Sequence, residues 1–164
     1  MHPDQAGNAG LTTSSAPWVC PDCGAPFANA NASHSCVRVD VAERFQAVTA
    51  VPAVREAFDR LVELASVDGP MSVVAQKTRI VLAAPMRFVA VQVRRDRLTG
   101  HVLAERPFQH PVVTEIVPNA YETGLYLHRL SIRSAGELDD AFGVFVREAA
   151  ARVGRRERLA RSGA

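Results

Sequence analysis

The stretch from Ser72 to Ile132 constrains this chain most. It holds six short segments rich in β-branched residues, and no helical period separates any of them. They run Ser72–Gln76, Arg79–Leu82, Arg87–Arg94, Leu98–Ala104, Val112–Val117 and Leu125–Ile132. A parallel pair needs a crossover of a dozen or more residues, and the short connections here leave no room for one. Successive segments must therefore pair antiparallel with a neighbour, and Asp96, within Arg94-Arg95-Asp96-Arg97, marks one hairpin turn.

Helical spacing flanks this β region on both sides. Asp40 followed by Glu43 forms a capping-box pattern, and Val41, Phe45 and Val48 recur as one helical face. Pro52 suits the first turn of a second helix, lined by Val54, Phe58, Leu61, Val62 and Ala65 and ended by Gly69-Pro70. Ser134 with Glu137 repeats the capping box ahead of Leu138, Phe142, Phe145, Val146 and Ala149. The expected fold class is α+β: an antiparallel five- or six-stranded meander with helices packed on one face, plus a small N-terminal zinc knuckle. The expected organisation is a disordered tail over 1–17, the knuckle over 18–39, the α+β domain over 40–153 and a basic tail over 154–164.

The knuckle is read from Cys20-Pro21-Asp22-Cys23-Gly24 and Ser33-His34-Ser35-Cys36. Two thiolates two residues apart can grip one tetrahedral ion from a tight turn, with Gly24 free to take the left-handed backbone that such a turn needs. The spacing C-x2-C-x10-H-x-C gives Cys20, Cys23, His34 and Cys36 as a Cys3His set. Thiolate and imidazole ligands favour zinc over magnesium or calcium. Four protein ligands leave no open position for water, so the zinc is structural. The alternatives are a redox dithiol and a reduced cluster without metal.

No apolar run approaches the roughly 20 residues of a membrane helix, and the polar N-terminus lacks the pattern of a secretory signal. With 48% hydrophobic and 22% charged residues, a soluble, cytoplasmic, globular protein is expected. No membrane partner is expected.

With the knuckle read alongside the rest, the chain resembles a family of small bacterial proteins of unassigned function. Their shared module is catalogued as domain of unknown function 5655. The resemblance rests on Trp18-Val19-Cys20-Pro21-Asp22-Cys23-Gly24, Ser33-His34-Ser35-Cys36, Gln76-Lys77-Thr78-Arg79-Ile80, Met86-Arg87-Phe88-Val89-Ala90-Val91-Gln92, Gly100-His101-Val102-Leu103 and Glu137-Leu138-Asp139. It covers about residues 17–150. It implies a zinc knuckle joined to a compact α/β module, with no established reaction. The segment Tyr126-Leu127-His128-Arg129 is poorer in histidine than in similar sequences, and the tail after Val153 is not covered.

Candidate ligand-binding residues are Lys77, Arg87, His101 and His128. Lys77 is the only lysine, at a turn between strands, and is also read as a solvated turn residue. If the strands of His101 and His128 present the same face, these side chains with Lys77 and Arg87 would line one polar pocket. Such a group would bind phosphate or carboxylate, or move protons near neutral pH. His110, before Pro111, belongs on a loop. There is no Gly-rich phosphate loop, no G-x-S-x-G elbow and no H-E-x-x-H motif, and no catalytic residue is assigned.

Positive charge gathers in two blocks. Residues 71–106 hold seven basic residues against two acids, and residues 141–164 hold six against two. Three function classes follow. The first is a non-enzymatic binding module for a small anionic ligand. The second is a nucleic-acid-associated protein using the knuckle and the Arg blocks, although no aromatic residues interleave with the arginines for base stacking. The third is a small enzyme using sheet histidines as acid and base.

Overall fold

The computed structural model describes residues 18–24, 26–27, 30–31, 39–120 and 122–156. Strands β1 (Trp18–Val19) and β2 (Pro26–Phe27) pair antiparallel as a small ribbon, with the Trp18 and Phe27 rings 5.9 Å apart. Helix α1 spans Val41–Ala47. Its Asp40 carboxylate accepts from the Ala42 N–H at 2.9 Å, and Glu43 reaches back to the Asp40 N–H, closing the expected capping box. Helix α2 spans Pro52–Ala65, with proline in the first turn.

The six remaining strands are β3 (Ser72–Ala75), β4 (Ile80–Ala83), β5 (Arg87–Val93), β6 (Leu98–Ala104), β7 (Val113–Pro118) and β8 (Tyr126–Ile132). They form one antiparallel sheet in the order β3-β4-β5-β6-β8-β7. The meander holds only as far as β6. The chain then skips a place: β8 lies beside β6 along seven paired residues, and β7 falls at the edge. Nothing in strand length or polarity separates β7 from β8, but burial does. β8 buries His128, Leu130 and Ile132, while no residue of β7 is fully buried.

The second capping box also forms, but it opens a 3-10 turn, Ala135–Glu137, and not the long helix. Helix α3 starts later, at Asp140–Ala149. Asp139 caps it by accepting from the Phe142 N–H at 2.9 Å. A π-helical turn, Ala150–Gly154, continues it into the stretch expected to begin the basic tail.

The core lies between the helices and one sheet face. Val54, Phe58 and Leu61 of α2 and Phe142, Phe145 and Val146 of α3 meet Ile80, Leu82, Val89, Val91, Leu98, Val102, Leu130 and Ile132. These strand residues are cross-strand partners along the register, such as Ile80 with Val91 and Val89 with Val102, so they share that face. The molecule is thus α+β, with an open six-stranded antiparallel sheet and three helices. No helix among the described residues is long and apolar enough to cross a membrane.

Candidate functional site

The opposite face of the sheet carries the polar cluster, and a β-bulge sets its composition. Leu82 pairs with Val89, yet the next residue of β4, Ala83, pairs with Arg87. Phe88 is the extra residue. Phe88 and Val89 both enter the core, and strict alternation is broken between Val89 and Arg87. Without the bulge, Arg87 would follow Val89 toward the helices. With it, Arg87 stands on the far face beside Ala90 and Val81.

There Arg79, Arg87 and His101 line a cavity of about 200 Å³, whose apolar walls include Val81, Ala90 and Leu103. The register explains the gathering. Val81 pairs with Ala90, Ala90 with His101, and His101 with Arg129, so one row crosses four strands on the same face. Arg79 immediately precedes β4 and lies two residues before Val81, so the same alternation brings it to the row.

The electrostatics are mainly positive. Among the described residues, no carboxylate lines the cavity. Burial, and then the charge of Arg79, push the Arg87 guanidinium below its usual value, and attraction to Cys23 opposes them. Arg87 remains a cation, since arginine keeps its proton in proteins. Its Nη2 is shut off from solvent and has no hydrogen-bond partner among the described residues. The Phe27 ring of β2 lies 4.8 Å from the guanidinium carbon, so the N-terminal ribbon rests on this arginine. Arg79 donates through Nε to Gln76 Oε1 at 3.0 Å. Burial first, then Arg79 and Arg129, lower the His101 pKa from 6.5, so His101 is neutral at pH 7. Arg129 is balanced by Glu115 at 2.6 Å.

The structure separates the four candidate residues. Arg87 and His101 share the cavity. Lys77 is exposed on the β3–β4 turn and does not line it; its carbonyl accepts from the Arg44 guanidinium. His128 points the other way. It pairs with Val102, whereas His101 pairs with Arg129, so the two imidazoles occupy opposite faces. His128 is fully buried, edge-on to Phe145 with ring centroids 4.8 Å apart. Its Nε2 accepts from the Phe108 N–H at 3.0 Å and its Nδ1 donates to the Val102 carbonyl at 3.3 Å, which makes it a neutral core histidine. A shared acid–base pair of His101 and His128 is thereby removed. His110 lies on the loop between β6 and β7, as expected, but it is packed down. Its side chain is 6% exposed, meets Asp139 Oδ1 at 3.1 Å and stacks on Phe108.

Arg79 and Arg129 escaped sequence reading as site residues. Alternation outward from Val81 and His101 is the signal that finds them, but only once the register is known.

The first half of the metal motif has a fitting shape. Cys20 is buried and Cys23 half-buried, on a turn closed by the Gly24 N–H donating to the Cys20 carbonyl at 2.8 Å. Gly24 has a φ of +69°, the left-handed conformation that favours glycine. His34 and Cys36 lie outside the described residues, as do the expected tail over 1–17 and most of the basic tail. Among the described residues, no three potential ligands come together.

Three arginines of the two basic blocks are paired locally with carboxylates among the described residues. Arg97 meets Asp96 at 2.9 Å, Arg106 grips Glu148 at 2.8 Å, and Arg156 pairs with Glu122 and Glu105. That leaves less continuous positive surface than the charge counts suggest.

Compared with known proteins, the chain matches no family model, no curated protein and no solved structure.

Proposed function

We propose that this chain is a small zinc-binding protein whose main domain is a non-enzymatic binding module, holding a small anionic ligand on the sheet face opposite the helices. The observation that carries this reading is Arg87: a half-buried cation beside a second guanidinium, in a cavity where, among the described residues, its Nη2 has no hydrogen-bond partner and no carboxylate joins the lining. A half-buried guanidinium short of acceptors is costly, and an anion seated against the part of Arg87 that lines the cavity offsets its charge. The ligand set is Arg79, Arg87 and His101; Lys77 and His128 drop out of the surface first expected. The same reading includes kinship with the zinc-knuckle family of domain of unknown function 5655, a cytoplasmic location, and zinc held by Cys20, Cys23, His34 and Cys36. These rest on the sequence segments and, for the metal, on the shape of the Cys20–Gly24 turn. Zinc would tie the N-terminal ribbon together and take no part in chemistry.

Thermal unfolding in millimolar phosphate, acetate and chloride at one ionic strength tests the anion reading. A ligand at a hundred times its Kd stabilises by about 2.7 kcal/mol, several degrees for a domain of this size. Phosphate or acetate should raise the Tm above that in chloride, and Arg87→Gln should remove the difference. Equal melting in all three salts overturns the proposal.

A further inference from the structure

The charge and the walls of the cavity say more than that its occupant is an anion. Arg79 and Arg87 bring two positive charges to one cavity, and Arg79 makes the Arg87 charge harder to keep. A dianion offsets the pair more fully than a monoanion, beyond the partial offset that Cys23 gives Arg87. The nearby Arg129 adds no demand, because Glu115 already balances it. His101 stays neutral among these arginines, so it offers one N–H donor and no third charge. The space also exceeds a bare oxyanion. About 200 Å³ is roughly the share of six or seven liquid waters, and Val81, Ala90 and Leu103 give it apolar walls. A tetrahedral headgroup can take forked donors from both guanidiniums and one bond from the imidazole. A compact apolar body would then fill the remainder.

We infer that the ligand is a small organic phosphate monoester, bound as its dianion with the phosphate between Arg79 and Arg87 and a compact apolar body against Val81, Ala90 and Leu103. This rests on the anion-binding reading above and narrows it by charge and by shape.

Phenyl phosphate and phenyl sulfate make the test. They share the ring and the tetrahedral headgroup, but at pH 7.5 the first is mainly a dianion and the second a monoanion. Calorimetric titration of the full chain should give the phosphate at least about ten-fold tighter binding than the sulfate, the size expected of one extra charge-assisted contact. Inorganic phosphate should bind more weakly than phenyl phosphate, because it leaves the apolar walls unfilled. Arg79→Gln, at an exposed position that should not disturb folding, should bring the two esters close to parity; Arg87→Gln should abolish binding of both. Equal affinity for the two esters overturns the dianion while leaving an anion site in place. Inorganic phosphate binding as tightly as phenyl phosphate overturns the apolar body. Binding of neither ester, with acetate and phosphate also failing to shift the Tm, overturns this inference and the reading beneath it together.

Discussion

At the scale of single residues, the two sheet histidines show how one place in the register separates two fates. His101 and His128 sit on adjacent strands, one step apart in pairing, and that step places one in a polar cavity and the other in the core. Burial lowers both pKa values from 6.5, in His128 against the pull of backbone hydrogen bonds that favour its charge. The folded state therefore holds these imidazoles neutral, while the unfolded chain protonates them normally. Their contribution is complete above about pH 6.5 and is lost as pH falls through the depressed folded values, because the unfolded state then binds more protons. Melting curves from pH 7.5 down to pH 5 should show Tm falling below pH 6.5. His128→Gln should be less stable at pH 7.5 and should show a shallower decline. A wild-type Tm unchanged between pH 7.5 and pH 5 would refute the assignment.

At the scale of elements, most of the fold was legible in the sequence because its cues are local. Pro52 and the Asp40–Glu43 box mark the starts of the first two helices to the residue, and the 3.6-residue stripes mark the faces that they bury. The β-branched runs mark the strands almost as closely. What the sequence hides depends on the partner strand. The β7–β8 exchange is a choice between edges of similar composition, and the Ser134–Glu137 box looks the same whether a 3-10 turn or a helix follows it. The Phe88 bulge is the costliest omission, since alternation read through it places Arg87 on the wrong face. Gly100 is a related case. It stands on β6 opposite Val91 and Leu130, where an added Cβ would lie 2.0 Å from the Ala90 carbonyl oxygen. That neighbour is backbone in a central strand and cannot swing aside. Gly100→Ala should therefore cost about 2–4 kcal/mol, an overpacking penalty at the severe end. Urea denaturation should show the midpoint falling, and a loss below about 0.5 kcal/mol would mean that β5 and β6 separate more easily than their register implies.

At the scale of the whole molecule, the question is how much of its stability the metal motif governs. The core cluster runs from Phe45 to Val153 and includes no residue of the N-terminal ribbon. The α+β domain thus has its own apolar core and should fold without zinc. The ribbon is different: its strands are two residues long, and a two-stranded ribbon is marginal in water by itself. With the proposed zinc bound, its order comes from ligation, and metal affinity there is folding energy. The Phe27 contact with Arg87 joins the two parts, and cation–π contacts of this kind contribute about 0.5–2 kcal/mol. Protein purified without added metal should carry about one zinc per chain. A chelator should abolish amide-exchange protection in residues 18–27 and lower the main melting transition only slightly. It should also weaken phenyl phosphate binding, because the Phe27 ring that rests on the Arg87 guanidinium leaves with the ribbon. Collapse of the main transition on chelation would show that the ribbon is part of the core. Absence of metal, with both Cys20 and Cys23 titrating as thiols and exchange unchanged, would refute the zinc site altogether.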